Sequence, residues 1–286
     1  MPSASEMRNN SELPDVCDVR RALQAQTTLS KKNARAICMS STCVSFRVHL
    51  FISIVSEYEV TQVQVYLTSD VDFSTLIKDA RGFHAMEHCS KAIELTVLYN
   101  PLGPHKQGAF KRAGLGCLDQ PILGDSNSVM VKQCFYKGVD NETIPFDNHS
   151  QITKLSMEIN CLRWSSALMC LTYNYIDGHI KNHGLAPFAI PRMRFVRSAL
   201  AIVHDTCDTF LLEEVIDEDN EGDFIKYIGN GSAKPLEHLE GEKLNQAIFL
   251  CFCQHLQYNM TKNLAFVSDF QGMLNVLYMN NPVTRI

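Results

Sequence analysis

Apolar and polar positions alternate along much of the chain, and the alternation predicts strands. Residues from about 44 to 72 are rich in β-branched and aromatic residues, with partial alternation. Further strand-like runs follow in "KAIELTVLYNPLG", "GAFKRAGLGCL" and "SVMVKQCFYK". Gly and Pro punctuate these runs at short intervals, which predicts a meandering antiparallel sheet. The period then changes. In "LSMEINCLRWSSALMCLTYNYI" (155 to 176), Ile159, Leu162, Ser166, Met169 and Tyr173 fall at helical spacing and predict an inward stripe.

"MRFVRSALAIVHD" and "TFLLEEVI" return to strand character, joined by a short polar turn. A second helix is expected in "EGEKLNQAIFLCFCQHLQYN" (240 to 259), with Leu244, Ile248, Cys251, Phe252 and His255 on one face. The stretch "AFVSDFQG" (265 to 272) follows it. Between the strand pair and this helix lies "EEVIDEDNEGD" (213 to 223), which predicts an acidic linker with a hinge near 215. The polar residues 1 to 43 read as a flexible leader. No internal repeat is visible.

Composition narrows the class of protein. The 286 residues suffice for one large domain or two small ones. The net charge of -5 and the lack of a basic run leave no electrostatic case for nucleic acid. The apolar run "VHLFISIV" is far shorter than the roughly 20 residues that span a bilayer, so no membrane partner is expected. No basic-then-apolar leader opens the sequence, so a cytoplasmic location is expected. Eleven cysteines, odd in number and mostly in apolar surroundings, read as free thiols.

Individual residues with chemical potential are few. If "AFVSDFQG" is extended, Asp269 and Gln271 point to one side and offer two oxygens to Mg²⁺ or to an attacking hydroxyl. A polar turn after a buried strand is the plainer alternative. Lys132 sits among apolar residues on its strand; it is either exposed or paired with an anion, and Glu158 on the first helix is a candidate partner. Lys226 and Asn230 in "FIKYIGNG" belong to a loop, and His255 on its helix reads first as a core histidine.

In order, "MVKQC", "MEINCL", "FLLEEVID…DFIKYIGNG", "FLCFCQHLQY" and "LAFVSDFQG" resemble the alpha-kinase family of atypical protein kinases, over roughly residues 90 to 272. The resemblance implies an α+β, two-lobed protein-kinase-like fold, with a mostly antiparallel N-lobe sheet plus one helix and a shortened C-lobe. On that plan 44–212 form the N-lobe with its β-rich extension, and 213–286 the hinge and C-lobe. The implied activity is ATP-dependent phosphorylation of serine or threonine in an unspecified protein substrate. Lys132 then contacts nucleotide phosphates with Glu158 as its partner, and Glu213 and Glu214 flank the adenine. Lys226 and Asn230 lie near substrate and phosphates. Asp269 positions or deprotonates the acceptor hydroxyl, Gln271 is a Mg²⁺ ligand, and His255 occupies a zinc-ligand position.

Departures from the family pattern set a second expectation. Asn280 or Asn281 stands where a second metal-binding acid is expected. The sequence stops at Ile286, before the family's glycine-rich loop and remaining zinc ligands, so structural zinc is not expected. The alternative is a catalytically weak or inactive relative acting as a nucleotide-binding or interaction module, or a piece of a longer kinase.

Overall fold

The computed structural model describes residues 59–78, 84–101, 103, 105–186, 188–216, 223–229, 232–273, 275–278 and 284–285. Asn230, Asn280, Asn281 and the proposed leader therefore lie outside the described residues, as do positions 44 to 58. The fold is α+β with a mostly antiparallel main sheet.

Eight strands build that sheet: β1 (Glu59–Leu67), β2 (Ile93–Tyr99), β3 (His105–Gln107), β4 (Lys111–Leu118), β5 (Ser128–Lys137), β6 (Thr143–Pro145), β8 (Ser198–Val203) and β9 (Thr209–Glu214). Six of them close on themselves in the order β4-β2-β1-β8-β9-β5, because β4 also pairs with β5. The result is a small antiparallel barrel. Val63, Val65, Leu95, Val97, Val129, Val131, Ala199, Ala201 and Leu212 fill its interior, which is why β1 and β2 alternate in sequence, whereas β8 and β9 are buried on both faces. At Gly116 a Cβ would stand 2.7 Å from the Val131 side chain, so this position must stay bare for the barrel to close.

On the outer face lies the helix α2 (Asn148–His183), preceded by the short α1 (Phe73–Lys78). Its 36 residues make it about 54 Å long. It begins where the Asp147 carboxylate accepts hydrogen bonds from the Ser150 N–H (3.0 Å) and hydroxyl (2.8 Å). The expected stripe is only part of its buried surface. Residues 162–165 and 167–169 are all buried, since α2 packs on the barrel on one side and on α3 on the other.

α3 (Gly241–Met260) corrects the expected face. Ile248 and Phe252 are 53% and 43% exposed and His255 is exposed, whereas Gln246, Gln254 and Gln257 are buried. For Gln246 and Gln257 the reason is hydrogen bonding, whereas neither side-chain polar atom of Gln254 has a partner among the described residues. Gln257 Oε1 accepts the Val267 N–H at 2.9 Å, and Gln246 Oε1 accepts the Tyr227 hydroxyl at 3.0 Å. Polar side chains that satisfy buried groups outrank apolar ones that would leave them orphaned.

A second sheet runs in the order β10 (Ile225–Lys226), β12 (Gln271–Gly272), β13 (Val276–Tyr278), β7 (Arg194–Phe195). The last pairing is parallel. A two-stranded pair, β11 (Ala265–Phe266) with β14 (Thr284–Arg285), completes the described elements. One apolar cluster, including Leu168, Leu211, Tyr227, Leu250, Phe270 and Leu277, runs from the outer face of the barrel through both helices to this sheet.

Candidate functional site

Two clusters of charge occupy the ends of that shared core. The first lies on the barrel's outer face. Lys132 on β5 pairs in register with Leu211 on β9, so Glu213, two residues on, is its diagonal neighbour on the same face. The two form an ion pair, with the Glu213 side chain only 3% exposed. Lys111 on β4 lies diagonal to Lys132 on the other side, and it is Lys111 that pairs with Glu158 of α2. The lysine-glutamate pairing expected for Lys132 and Glu158 is thus distributed over four residues. Burial works against the Lys111 ammonium, but Glu158 and then Glu213 outweigh it and raise its pKa.

The position of Lys132 is set from α2. Gln151 is buried and bonds both ways to the backbone of Cys134, accepting its N–H at 3.1 Å and donating to its carbonyl at 2.6 Å. That contact holds the end of β5 against the helix, two residues from Lys132.

Glu214 has a different environment from its neighbour. Arg194 grips both carboxylate oxygens, Nη2 lying 3.1 Å from Oε2, and the Arg197 N–H donates to Oε1 at 2.7 Å. Because Arg194 belongs to β7, this ties the end of the barrel strand β9 to the second sheet. The carboxylate is committed to that tie, which leaves the backbone of this segment as the group that could meet a ligand.

The second cluster centres on "AFVSDFQG". The segment is not one extended strand: it spans β11 and β12, and Asp269 between them has φ 58. Aspartate tolerates this left-handed region better than most residues. The simple i, i+2 argument for Asp269 and Gln271 therefore fails, yet both residues still neighbour Lys226. Asp269 Oδ1 lies 2.8 Å from Lys226 Nζ, with the aspartate side chain 2% exposed and the lysine 44% exposed. Gln271, also buried, sits directly across from Lys226 in the β10–β12 register.

Tyr227 anchors this arrangement. It is fully buried, its N–H donates to the Phe270 carbonyl at 2.9 Å, and burial pushes its phenol up to about 12. Lys111, Arg194 and Tyr227 were not singled out from sequence. Tyr227 adjoins Lys226 and Arg194 lies in "MRFVR", but their roles depend on pairings across 20 or more residues.

The two clusters thus present three lysines, each paired with a carboxylate, those of Glu213 and Asp269 buried, with Gln271 across from Lys226. Among the described residues no group of three or more His, Cys, Asp or Glu converges as a metal site. His255 is exposed, with the Asn259 amide 3.0 Å from Nε2. The eight described cysteines carry thiols and form no disulfide, and Cys134, Cys207 and Cys253 are buried. Among the described residues no helix is long and apolar enough to cross a membrane.

No protein-family profile and no curated protein matches the chain. Solved structures do. The alpha-kinase domain of myosin heavy chain kinase A in complex with AMP is 12% identical, with 77% of this chain and 83% of that chain covered and a TM-score of 0.43. The same domain with AMP-PNP gives 11%, 77%, 81% and 0.42, and a C-terminally truncated form gives 12%, 77%, 83% and 0.43.

Proposed function

We propose that the chain is an alpha-type protein kinase domain that transfers the γ-phosphoryl group of ATP to serine or threonine hydroxyls of a protein. The observation that carries this reading is the Lys226–Asp269–Gln271 cluster, joined to the Lys132–Glu213 pair by a short covalent segment and by the Arg194–Glu214 tie. Phosphoryl transfer needs positioning and charge neutralisation more than covalent chemistry, and these residue types supply both. In this reading the barrel with α2 is the N-lobe, and the second sheet with α3 is a shortened C-lobe. The hinge lies near 215, and the chain works in the cytoplasm.

Lys132, with Lys111 behind it, meets the nucleotide phosphates once Glu213 and Glu158 release or share them. The backbone beside Glu214 meets the adenine. Asp269 accepts the proton of the acceptor hydroxyl as its oxygen bonds to the γ-phosphorus and the bond to the bridging oxygen breaks, with Lys226 offsetting the charge. Asn230, four residues on in sequence, is assigned to the substrate and phosphates in this reading. The oxygens of Asp269 and Gln271 fit a magnesium ion, for Asp269 already holds one cation at 2.8 Å. Bound there, the ion would neutralise phosphate charge.

A second reading, a nucleotide-binding or interaction module without activity, is favoured by one observation: Lys111, Lys132 and Lys226 each already hold a carboxylate. Phosphotransfer from Mg·ATP to a generic basic protein substrate separates the two. Activity lost in Lys132→Met and in Asp269→Asn supports the kinase. Activity that survives both substitutions sinks the residue assignment, and nucleotide binding without transfer favours the module.

A further inference from the structure

The last turns of α2 carry a tyrosine and two histidines in line. Tyr175, His179 and His183 recur every four residues, so their rings lie along one side of the helix. Tyr175 and His179 stack with centroids 6.3 Å apart and planes 15° apart, and His179 and His183 with centroids 4.2 Å apart and planes 21° apart. All three are exposed, and all three line a cavity of about 1090 Å³ that α2 shares with the 184–191 connection and the first half of α3. None takes part in the proposed nucleotide site.

The hydrogen bonding of His183 decides what its ring can do. Its Nδ1 lies 3.1 Å from the His179 carbonyl oxygen. A carbonyl only accepts, so in the neutral ring the proton sits on Nδ1. Nε2 is left with its lone pair, on the ring edge that faces away from the helix backbone. Metal-bound histidines are held in this way, donating the other ring N–H to a backbone oxygen or a carboxylate. The His179 ring makes no hydrogen bond among the described residues and is positioned by stacking.

The spacing suits one small ion. Two nitrogens each about 2.0–2.1 Å from a metal lie about 3 Å apart. Rings with centroids 4.2 Å apart reach that separation when their distal edges tilt together, a small rotation for exposed side chains. The surroundings favour a cation. The pair adjoins the last turn of a 36-residue helix, whose final carbonyls present the negative end of its dipole. Lys181 is two residues from each histidine and therefore on the opposite side of the helix. Glu242 of α3 lines the same cavity. No third histidine, cysteine or carboxylate converges on the pair among the described residues, so water completes the coordination.

We propose that His179 and His183 chelate a divalent transition-metal ion of the nickel, copper or zinc type at the C-terminal end of α2. Imidazole suits these ions, and i, i+4 is the spacing at which a helix presents two histidines to one metal. Both ligands must be helical to meet the ion, so binding pins the last turn of α2. The site is independent of the kinase reading.

Calorimetric titration of the full chain with Ni²⁺ tests this. His179→Ala and His183→Ala should each weaken the site at least about tenfold, a loss found even for groups that only orient a ligand. His149→Ala removes an exposed histidine from the other end of α2 and should leave the affinity unchanged. Lys181→His combined with His183→Lys keeps composition and charge but puts the two rings on opposite sides of the helix; it should weaken the site as much as His183→Ala. All these positions are exposed, so folding is not at risk. Hydrogen exchange at Gly184, whose N–H donates to the Ile180 carbonyl at 2.8 Å, should slow when Ni²⁺ is added. No binding by the parent, full affinity in the exchanged variant, a comparable loss in His149→Ala, or exchange at Gly184 indifferent to Ni²⁺ would overturn the assignment.

Discussion

Replacing Gln257 with leucine should destabilise the protein even though it places an apolar side chain in a fully buried site. The Gln257 amide accepts the Val267 N–H at 2.9 Å and donates to the Thr172 hydroxyl at 3.2 Å, and the residue has no exposed surface. Leucine fills nearly the same volume and makes neither bond. Thr172 keeps its bond to the Leu168 carbonyl at 2.9 Å, so the principal loss is the stranded Val267 N–H. A buried donor without an acceptor costs about 1–3 kcal/mol, and the lost hydroxyl bond about 1 kcal/mol more, against a smaller gain from the apolar atoms. The net is about 2–3 kcal/mol. At about 2–4 °C per kcal/mol for a chain of this size, the melting temperature should fall by about 5–10 °C. Circular-dichroism melts of Gln257→Leu beside Ile248→Gln make the test sharp. Ile248 is 53% exposed, so its replacement should stay within about 0.5 kcal/mol of the parent. A stable Gln257→Leu with a destabilised Ile248→Gln would refute the account of α3, because hydropathy would then have chosen the buried face after all.

Further outcomes follow from the charged clusters and the second sheet. Lys132→Met or Glu213→Gln alone should each cost about 3–5 kcal/mol in urea unfolding, because the remaining partner keeps a largely buried charge. The double variant should cost less than the sum, and strict additivity would show that the pair is not coupled. The raised Lys111 pKa sets a direction for alkaline pH: its stabilising effect is complete below the ordinary lysine value of about 10.4 and is lost as pH rises through the higher folded value. Melting temperature should therefore fall in that range, and Lys111→Met should flatten the fall; an unchanged slope contradicts the cluster. In Gly272→Ala a Cβ would stand 2.1 Å from the Val276 carbonyl oxygen and 2.8 Å from Leu277 Cα, both backbone atoms that cannot step aside. Hydrogen exchange should show β12 and β13 opening together, and native-like protection there would be inconsistent with that close approach.

Local patterns were legible where one face of an element decides its composition. β2 alternates because the barrel interior accepts every second side chain, whereas β8 and β9 are buried on both faces and are nearly continuous in burial. α3 was legible as a helix but not in its orientation, since Gln246 and Gln257 face inward to meet partners at Tyr227, Thr172 and Val267 that no local pattern announces. The strand alternation assumed for "AFVSDFQG" broke at Asp269, whose φ of 58 turns the chain between β11 and β12. Lys132 and Glu158 were visible as charges in apolar surroundings. Which acid each lysine meets depended on the closure of β4 onto β5 and of β5 onto β9, pairings that span up to about 80 residues. Closure of the sheet into a barrel carried no sequence signal for the same reason.

The central claim is that the two charge clusters form one nucleotide site, and the melting temperature with and without Mg·ATP tests it most directly. At 100 times its dissociation constant a ligand stabilises by about 2.7 kcal/mol, which at this size is a rise of about 5–10 °C. The account predicts that rise for the parent chain, its loss in Lys132→Met, and a reduced rise in Asp269→Asn, where the proposed magnesium ligand is weakened. No rise in the parent, or an equal rise in all three proteins, would contradict it.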